Sequence, residues 1–278
     1  MPPVVVTGAS GFLGRELVRA LQTRGCEVVA AGRSAAARGA GCPPVRGVNI
    51  EELSRFAGAV CVHLAGANAL ADDAAARRER EDALRLAAGV REAGFARIIF
   101  ASSAAVYDEA FPGPHTELSV PKPASAYGRL KLDLESLFLP RHAVARISNL
   151  YGPGMSPANV FSHIMGQLRV ADEVVVRNLT SARDYLFVGD AVEALAALAL
   201  SQETGVFNVS TGRATRVSEL LDMLARLMGR ARCSARVLHP YPPPSSLVLD
   251  PSRLERATGW RHRVRLEMGL KLLVEAMR

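Results

Sequence analysis

Tyr127 precedes Lys131 by four positions in a stretch of helical character, so the two side chains fall on one face of a helix. A tyrosine hydroxyl ionises near pKa ~10, too high for an efficient base at neutral pH, and a nearby ammonium favours the phenolate and lowers that value. Ser103, just after the apolar run Ile98–Ala101, stands where a hydroxyl can hold a substrate oxygen. The expected relay is therefore that Ser103 orients, Tyr127 transfers the proton, and Lys131 tunes Tyr127 and holds a nicotinamide ribose. That is chemistry for interconverting an alcohol and a ketone.

The partner of such a relay is a dinucleotide, and the chain opens with a place for one. Thr7-Gly8-Ala9-Ser10-Gly11-Phe12-Leu13-Gly14 follows an apolar run and leads into a helical pattern. Glycines at 8, 11 and 14 let the backbone turn and approach a pyrophosphate, which meets the helix N–H groups. Gly8, Ser10, Gly11, Phe12, Leu13 and Gly14 are the expected cofactor contacts there. A carboxylate usually ends the second strand of an NAD site and bonds the ribose hydroxyls. Here the strand ends in Ala31-Gly32-Arg33-Ser34, without an acid. Arg33 can fork onto a 2′-phosphate and Ser34 can add a hydroxyl, so NADP is the expected cofactor and NAD the alternative.

The elements that must position these residues alternate. Val4–Thr7, Glu27–Ala31, Ala59–Leu64, Arg97–Ala101, His142–Ile147 and Val206–Val209 read as strands. Gly11–Gln22, Arg80–Ala93 and Ser125–Leu137 read as the helices between them, and Asp190–Leu200 and Val217–Met228 as later ones. The expected fold is α/β, a Rossmann-type doubly wound parallel sheet with a small C-terminal substrate-binding lobe. Residues 1–155 form the dinucleotide-binding part, completed by about 183–210. Residues 156–278 form the lobe, interleaved with it, and Tyr241–Ser246 is a loop.

Bulk properties narrow the setting. The chain has 278 residues, 49% of them apolar, and a net charge of +7 from 34 basic and 27 acidic residues. The positive charge is dispersed, with no basic block of the kind that binds nucleic acid, and it favours an anionic ligand only weakly. Cys26, Cys42, Cys61 and Cys233 lack metal-ligand spacing, and His115, His142 and His163 do not cluster. No leader precedes Val4 and no run is long and apolar enough to span a bilayer, so a cytoplasmic, non-membrane protein is expected.

These motifs together resemble the extended short-chain dehydrogenase/reductase family, in its branch of nucleotide-sugar epimerases, dehydratases and reductases. The resemblance covers nearly the whole chain. It rests on the glycine segment, on His63-Leu64-Ala65-Gly66, on Ser102-Ser103-Ala104-Ala105-Val106-Tyr107 and on Tyr127-Gly128-Arg129-Leu130-Lys131. It implies further cofactor contacts at Asn49 and Ile50 near the adenine, and at Leu64, Ala65 and Gly66 at a strand end. It implies substrate contacts at Asn149, within Arg146–Gly154, and at Arg183, within Arg183–Val188, whose arginine grips a nucleotide diphosphate. On the residues alone, Arg183 can instead pair with Asp184 or Asp190. Asp250–Trp260 resembles the family's C-terminal substrate-domain helix. A homodimer pairing Arg80–Ala93 and Ser125–Leu137 is also implied.

The chain departs from that branch in places. No acid follows Ser103 in Ser103-Ala104-Ala105, which argues against dehydration, and Asp108 stands where glycine is usual. Two activities share every residue named. A reductase uses NADPH to reduce a keto group on a nucleotide-activated deoxy sugar, with Tyr127 as proton donor. A nucleotide-sugar 4-epimerase keeps its cofactor and uses Tyr127 as base. The missing acid after the second strand tilts the expectation to the NADPH-dependent reductase, with the 4-epimerase as alternative.

Overall fold

The computed structural model describes residues 3–32, 46–66, 74–111, 113–238 and 245–276. Its first half runs β1 (Val4–Thr7), α1 (Phe12–Thr23), β2 (Val28–Ala31), β3 (Arg46–Val48), β4 (Val60–His63), α2 (Ala74–Glu92), β5 (Arg97–Ser103), α3 (Ala126–Phe138) and β6 (Ala143–Ile147). Then follow β7 (Asn149–Tyr151), α4 (Val160–Leu168), β8 (Glu173–Val176), β9 (Ala182–Arg183), β10 (Tyr185–Phe187), α5 (Val188–Leu200) and β11 (Gly205–Val209). The chain closes with β12 (Thr215–Arg216), α6 (Val217–Leu227), β13 (Ser234–Val237), β14 (Ser246–Leu247), α7 (Ser252–Thr258) and α8 (Leu266–Glu275). Short 3₁₀ turns at Ile50–Phe56 and Ala104–Val106 follow β3 and β5.

Seven strands form one parallel sheet in the order β11-β6-β5-β4-β1-β2-β3. Side chains alternate along each strand, so a sheet covered on both faces needs apolar residues at successive positions. Val4 and Val6 enter one core with Leu17, Val18 and Leu21 of α1 and Ala191, Leu195 and Leu198 of α5. Val5 enters the other with Ala87 and Val90 of α2 and Leu130, Leu134 and Phe138 of α3. The result is the doubly wound Rossmann sheet expected from the alternation. From β1 the chain winds outward through β2 to β3, then returns to lay β4 on β1's other side. A crevice therefore opens at the carboxyl ends of β1 and β4, where such sheets take ligands.

A third core joins Phe161, Ile164 and Met165 of α4, Leu220 and Leu224 of α6, and Leu270 and Leu273 of α8 to Val174 and Val176 of β8 and Tyr185 of β10. Three details differ from the sequence-based expectation. The edge strand β3 has only three residues and carries no periodic signal. β5 runs two residues further, so Ser103 is its last member, in register with Ile147. Ser246 belongs to β14 rather than to a loop.

The segment Asp250–Trp260 also differs. Leu254 of α7 and Trp260 pack into the α1/α5 face of the large sheet, and the Trp260 indole donates to the Asp190 carbonyl (3.1 Å). Gly259, at φ +71°, turns the chain so that Trp260 reaches that core. Among the described residues no helix is long and apolar enough to cross a membrane.

Candidate functional site

The crevice is built by close backbone approach. Gly8 has φ +70°, and a Cβ there would lie 2.8 Å from the Ala65 nitrogen; a Cβ on Gly14 would run into the Gly8 carbonyl oxygen. Only glycine lets α1 start this near the end of β1. Gly11 caps α1 without a side-chain bond, and the first turn carries no acid. The N–H groups and the positive dipole end of a twelve-residue helix thus face the crevice, an arrangement that suits a pyrophosphate.

Ser10 and Gly11 are exposed, and Phe12 and Leu13 half-buried, on that turn. Thr7 ties the two strand ends together. Its hydroxyl bonds His63 Nδ1 (2.6 Å) and accepts from the Ala65 N–H (3.2 Å), which fixes Leu64, Ala65 and Gly66 beside the glycines. Burial, with the charge of Lys131, pushes His63 down to about 3, so it is a neutral structural partner. Asn49 follows β3 at the far side and caps the 3₁₀ turn, its N–H bonded to Glu52 (3.1 Å), with Ile50 packed on the core beneath. Arg33 and Ser34 lie outside the described residues.

The reactive groups converge from β5 and α3. Ser125 caps α3 through the Gly128 N–H (3.0 Å), and a Cβ at Gly128 would run into the Ala105 carbonyl oxygen. The first turn of α3 thus rests directly on the turn that follows Ser103, and Ser103 hydrogen-bonds Tyr127. The Lys131 ammonium donates to the Ala101 carbonyl (2.9 Å) and lies 5.7 Å from the centre of the Tyr127 ring. Burial lowers Lys131 to about 8, against the opposing pull of Glu135.

Burial raises the Tyr127 hydroxyl, and the hydrogen bond from Ser103 counters it. Ser103 is thus the group that counters burial at the Tyr127 hydroxyl. Lys131 spends a hydrogen bond on the backbone and lies beside the Tyr127 ring.

Behind this group runs a buried polar chain that sequence reasoning missed. Glu135 follows Lys131 by one helical turn. It takes two bonds from Arg146 Nε (3.0 and 3.2 Å), one from Nη2 (2.6 Å) and one from the Ser102 hydroxyl (2.5 Å). The Arg146 guanidinium stacks on Tyr107 (4.8 Å), whose hydroxyl donates to Asn208 (2.8 Å). Asn208 in turn bonds the carbonyls of His115 (2.9 Å) and Asp250 (3.2 Å). The i, i+4 spacing of Lys131 and Glu135 is the only local signal of it.

On the lobe side, Asn149 begins β7 and bonds the Asp184 carbonyl through its N–H (3.0 Å) and its side-chain amide (3.4 Å). Arg183 pairs with Glu109 (2.7 Å), not with Asp184 or Asp190. Asp184 is buried and accepts from Thr211 and Gly212, whereas Asp190 accepts from the N–H groups of Arg263 and Val264. Glu109 borders a cleft of about 470 Å³, with Ala182, Arg216, Glu219 and Ser245 among its walls. The structure thus gathers the glycine turn, Leu64–Gly66 and the Ser103–Tyr127–Lys131 group around the strand ends, and sets Asn149 and Arg183 together, joined through Asp184.

Comparison with known proteins bears on this geometry. The NAD dependent epimerase/dehydratase family matches residues 4–210. A Methanocaldococcus jannaschii protein that bears the UDP-glucose 4-epimerase name is 29% identical over 197 residues, 66% of this chain; the match spans 63% of that protein's length. Among solved structures, MoeE5 in complex with UDP-glucuronic acid and NAD is 28% identical at a TM-score of 0.83, covering 99% of both chains. The Thermus thermophilus UDP-glucose 4-epimerase in complex with NAD is 27% identical at 0.84, also covering 99% of both.

Two expectations fall with these findings. Both of these solved structures hold NAD, so the preference for NADP is overturned. A missing acid removes one way of bonding ribose hydroxyls, but an arginine and a serine do not by themselves require a 2′-phosphate. The NADPH-dependent keto-sugar reductase rested on that preference and is overturned with it. By the match over residues 4–210 and the whole-length likeness in structure, the chain belongs to the NAD dependent epimerase/dehydratase family, of the extended short-chain dehydrogenase/reductase type.

Proposed function

We propose that this chain is an NAD-dependent epimerase that inverts C4 of the sugar in a nucleotide sugar. The observation that carries the reading is the meeting of Ser103, Tyr127 and Lys131 at the same strand ends as the start of α1, whose Gly11 cap leaves its N–H groups without a side-chain partner. The whole-length likeness to structures holding NAD with, in one case, UDP-glucuronic acid supports the substrate class.

The glycine turn fits the cofactor, since only without a Cβ at Gly8 and Gly14 can the turn, the start of α1 and the Leu64–Ala65 strand end close up this tightly and leave backbone N–H groups facing the pyrophosphate. NAD bound there supplies a reversible hydride acceptor. Ser10, Gly11, Phe12, Leu13, Leu64, Ala65 and Gly66 hold it, with Asn49 and Ile50 at the adenine end and Tyr127 and Lys131 at the ribose end. Tyr127 accepts the proton of the sugar hydroxyl and returns it. Ser103 orients that oxygen, and its bond to Tyr127 favours the phenolate against burial. Lys131, ionised below pH of about 8, supplies positive charge beside the ring. Asn149 and Arg183 take the diphosphate, for which a guanidinium has the right fork of donors.

The test is to incubate the NAD-loaded protein with UDP-glucose or UDP-glucuronic acid and to separate the C4 epimers by chromatography. Equilibration of either pair without net consumption of NAD is expected. Failure to form an epimer from either substrate, with stoichiometric reduction of a keto sugar by NADH instead, would refute epimerisation.

A further inference from the structure

Arg183, taken above as a diphosphate contact, already has an anion. Its Nη2 lies 2.7 Å from a carboxylate oxygen of Glu109, and the two side chains are 22% and 30% exposed. The guanidinium does not need that carboxylate to hold its place. Nη1 donates to the carbonyls of Ala182 (2.9 Å) and Ser245 (3.1 Å), and Nη2 to the Ser245 hydroxyl (2.9 Å). Those three bonds tie Arg183 to the backbone of its own strand and to the residue that leads into β14. Glu109 reaches in from another part of the chain, the segment that follows Ser103 and Tyr107. Its backbone is pinned there by the Ser246 N–H bonding its carbonyl (2.8 Å). Glu109 borders the cleft of about 470 Å³, as does Arg216.

We propose that Glu109 is a specificity-determining residue: its carboxylate competes for Arg183, so only a ligand that presents more negative charge than one carboxylate takes the guanidinium. The inference rests on reading Arg183 as the diphosphate contact. The diphosphate of a nucleotide sugar carries two negative charges and several acceptor oxygens, against the single charge of Glu109. A neutral sugar has nothing with which to displace it. A partly exposed ion pair is weak enough to open on binding, yet any ligand that uses Arg183 must first break it. Removing the competitor therefore tightens such a ligand about two- to fivefold.

The experiment is calorimetric titration of UDP into the NAD-loaded full chain, for the wild type, Glu109→Gln, Arg183→Met and the double variant. The expected result has three parts. Glu109→Gln binds UDP about two- to fivefold more tightly, Arg183→Met binds it at least about tenfold more weakly, and Glu109→Gln adds nothing once Arg183 is gone. If Arg183→Met weakens UDP but Glu109→Gln leaves it unchanged or weaker, Glu109 is no competitor and the proposal is overturned while the reading of Arg183 stands. If Arg183→Met leaves UDP affinity unchanged, the diphosphate contact itself is wrong and the proposal goes with it.

Discussion

Replacing Glu135 by glutamine should destabilise the protein far more than the loss of one surface charge would. Glu135 and Arg146 are 2% and 5% exposed, and the carboxylate accepts three bonds from Arg146 and one from Ser102. Glutamine keeps one acceptor oxygen but points an amide donor at guanidinium donors, leaving a buried cation without a counter-charge. Breaking such a pair costs about 3–5 kcal/mol. For a chain of this size each kcal/mol moves the melting temperature by about 2 °C, so a fall of roughly 6–10 °C is expected in thermal unfolding followed by circular dichroism. The double variant Glu135→Leu with Arg146→Met removes both charges and should recover most of that loss, because buried pairs are replaceable by packed apolar groups. A single variant that melts within about 1 °C of the wild type would refute the reasoning. A double variant no better than the single would assign the cost to shape rather than to uncompensated charge.

Three further outcomes follow from the same site. Tyr127→Phe should lower kcat at least about 100-fold while leaving NAD affinity, measured by fluorescence titration, nearly intact; normal turnover would sink the relay. Lys131→Met should abolish activity yet raise the melting temperature at pH 7. Burial holds Lys131 near 8 in the folded chain, below its ordinary value, so between about pH 8 and 10.5 the unfolded chain binds more protons and stability climbs with pH. The methionine variant should lose that climb, and a wild-type stability flat across this window would contradict it. Gly14→Ala should leave most of the fold's helical signal but abolish retention of NAD, since its methyl group runs into the Gly8 carbonyl and separates α1 from β1; undiminished NAD binding would count against the cradle.

The large sheet is legible because burial on two faces forces what the eye can read: Val4-Val5-Val6, Val28-Val29 and Ile98-Ile99-Phe100 admit no polar side chain on either surface. The short edge strand Arg46–Val48 has only three residues and so leaves no pattern. Trp260 reads as part of the lobe because its neighbours in sequence resemble a lobe segment, but the turn at Gly259 sends it across to Asp190, seventy residues away. The cofactor is misread for a different reason. One absent carboxylate is weak information, since it removes a hydrogen-bond acceptor without specifying its replacement.

Within the site, legibility tracks sequence distance. Tyr127 and Lys131 advertise themselves because a helix turns local spacing into a shared face, and the glycines because a tight turn has few solutions. Glu109 and Arg183 lie 74 positions apart, and Tyr107 and Asn208 are separated by 101; neither pairing has a periodic trace. Yet these long-range polar bonds determine where the legible residues sit. Glu135, on the turn of α3 after Lys131, is held at once by Ser102, the neighbour of Ser103, and by Arg146 on the next strand, so the helix cannot slide without breaking a buried charge pair. Through Tyr107 and Asn208 the same chain reaches the backbone at His115 and Asp250. A proton relay needs its hydroxyls held within a few tenths of an ångström. Helix spacing alone does not provide that; a carboxylate that can satisfy its bonds in only one arrangement of β5, β6 and α3 does.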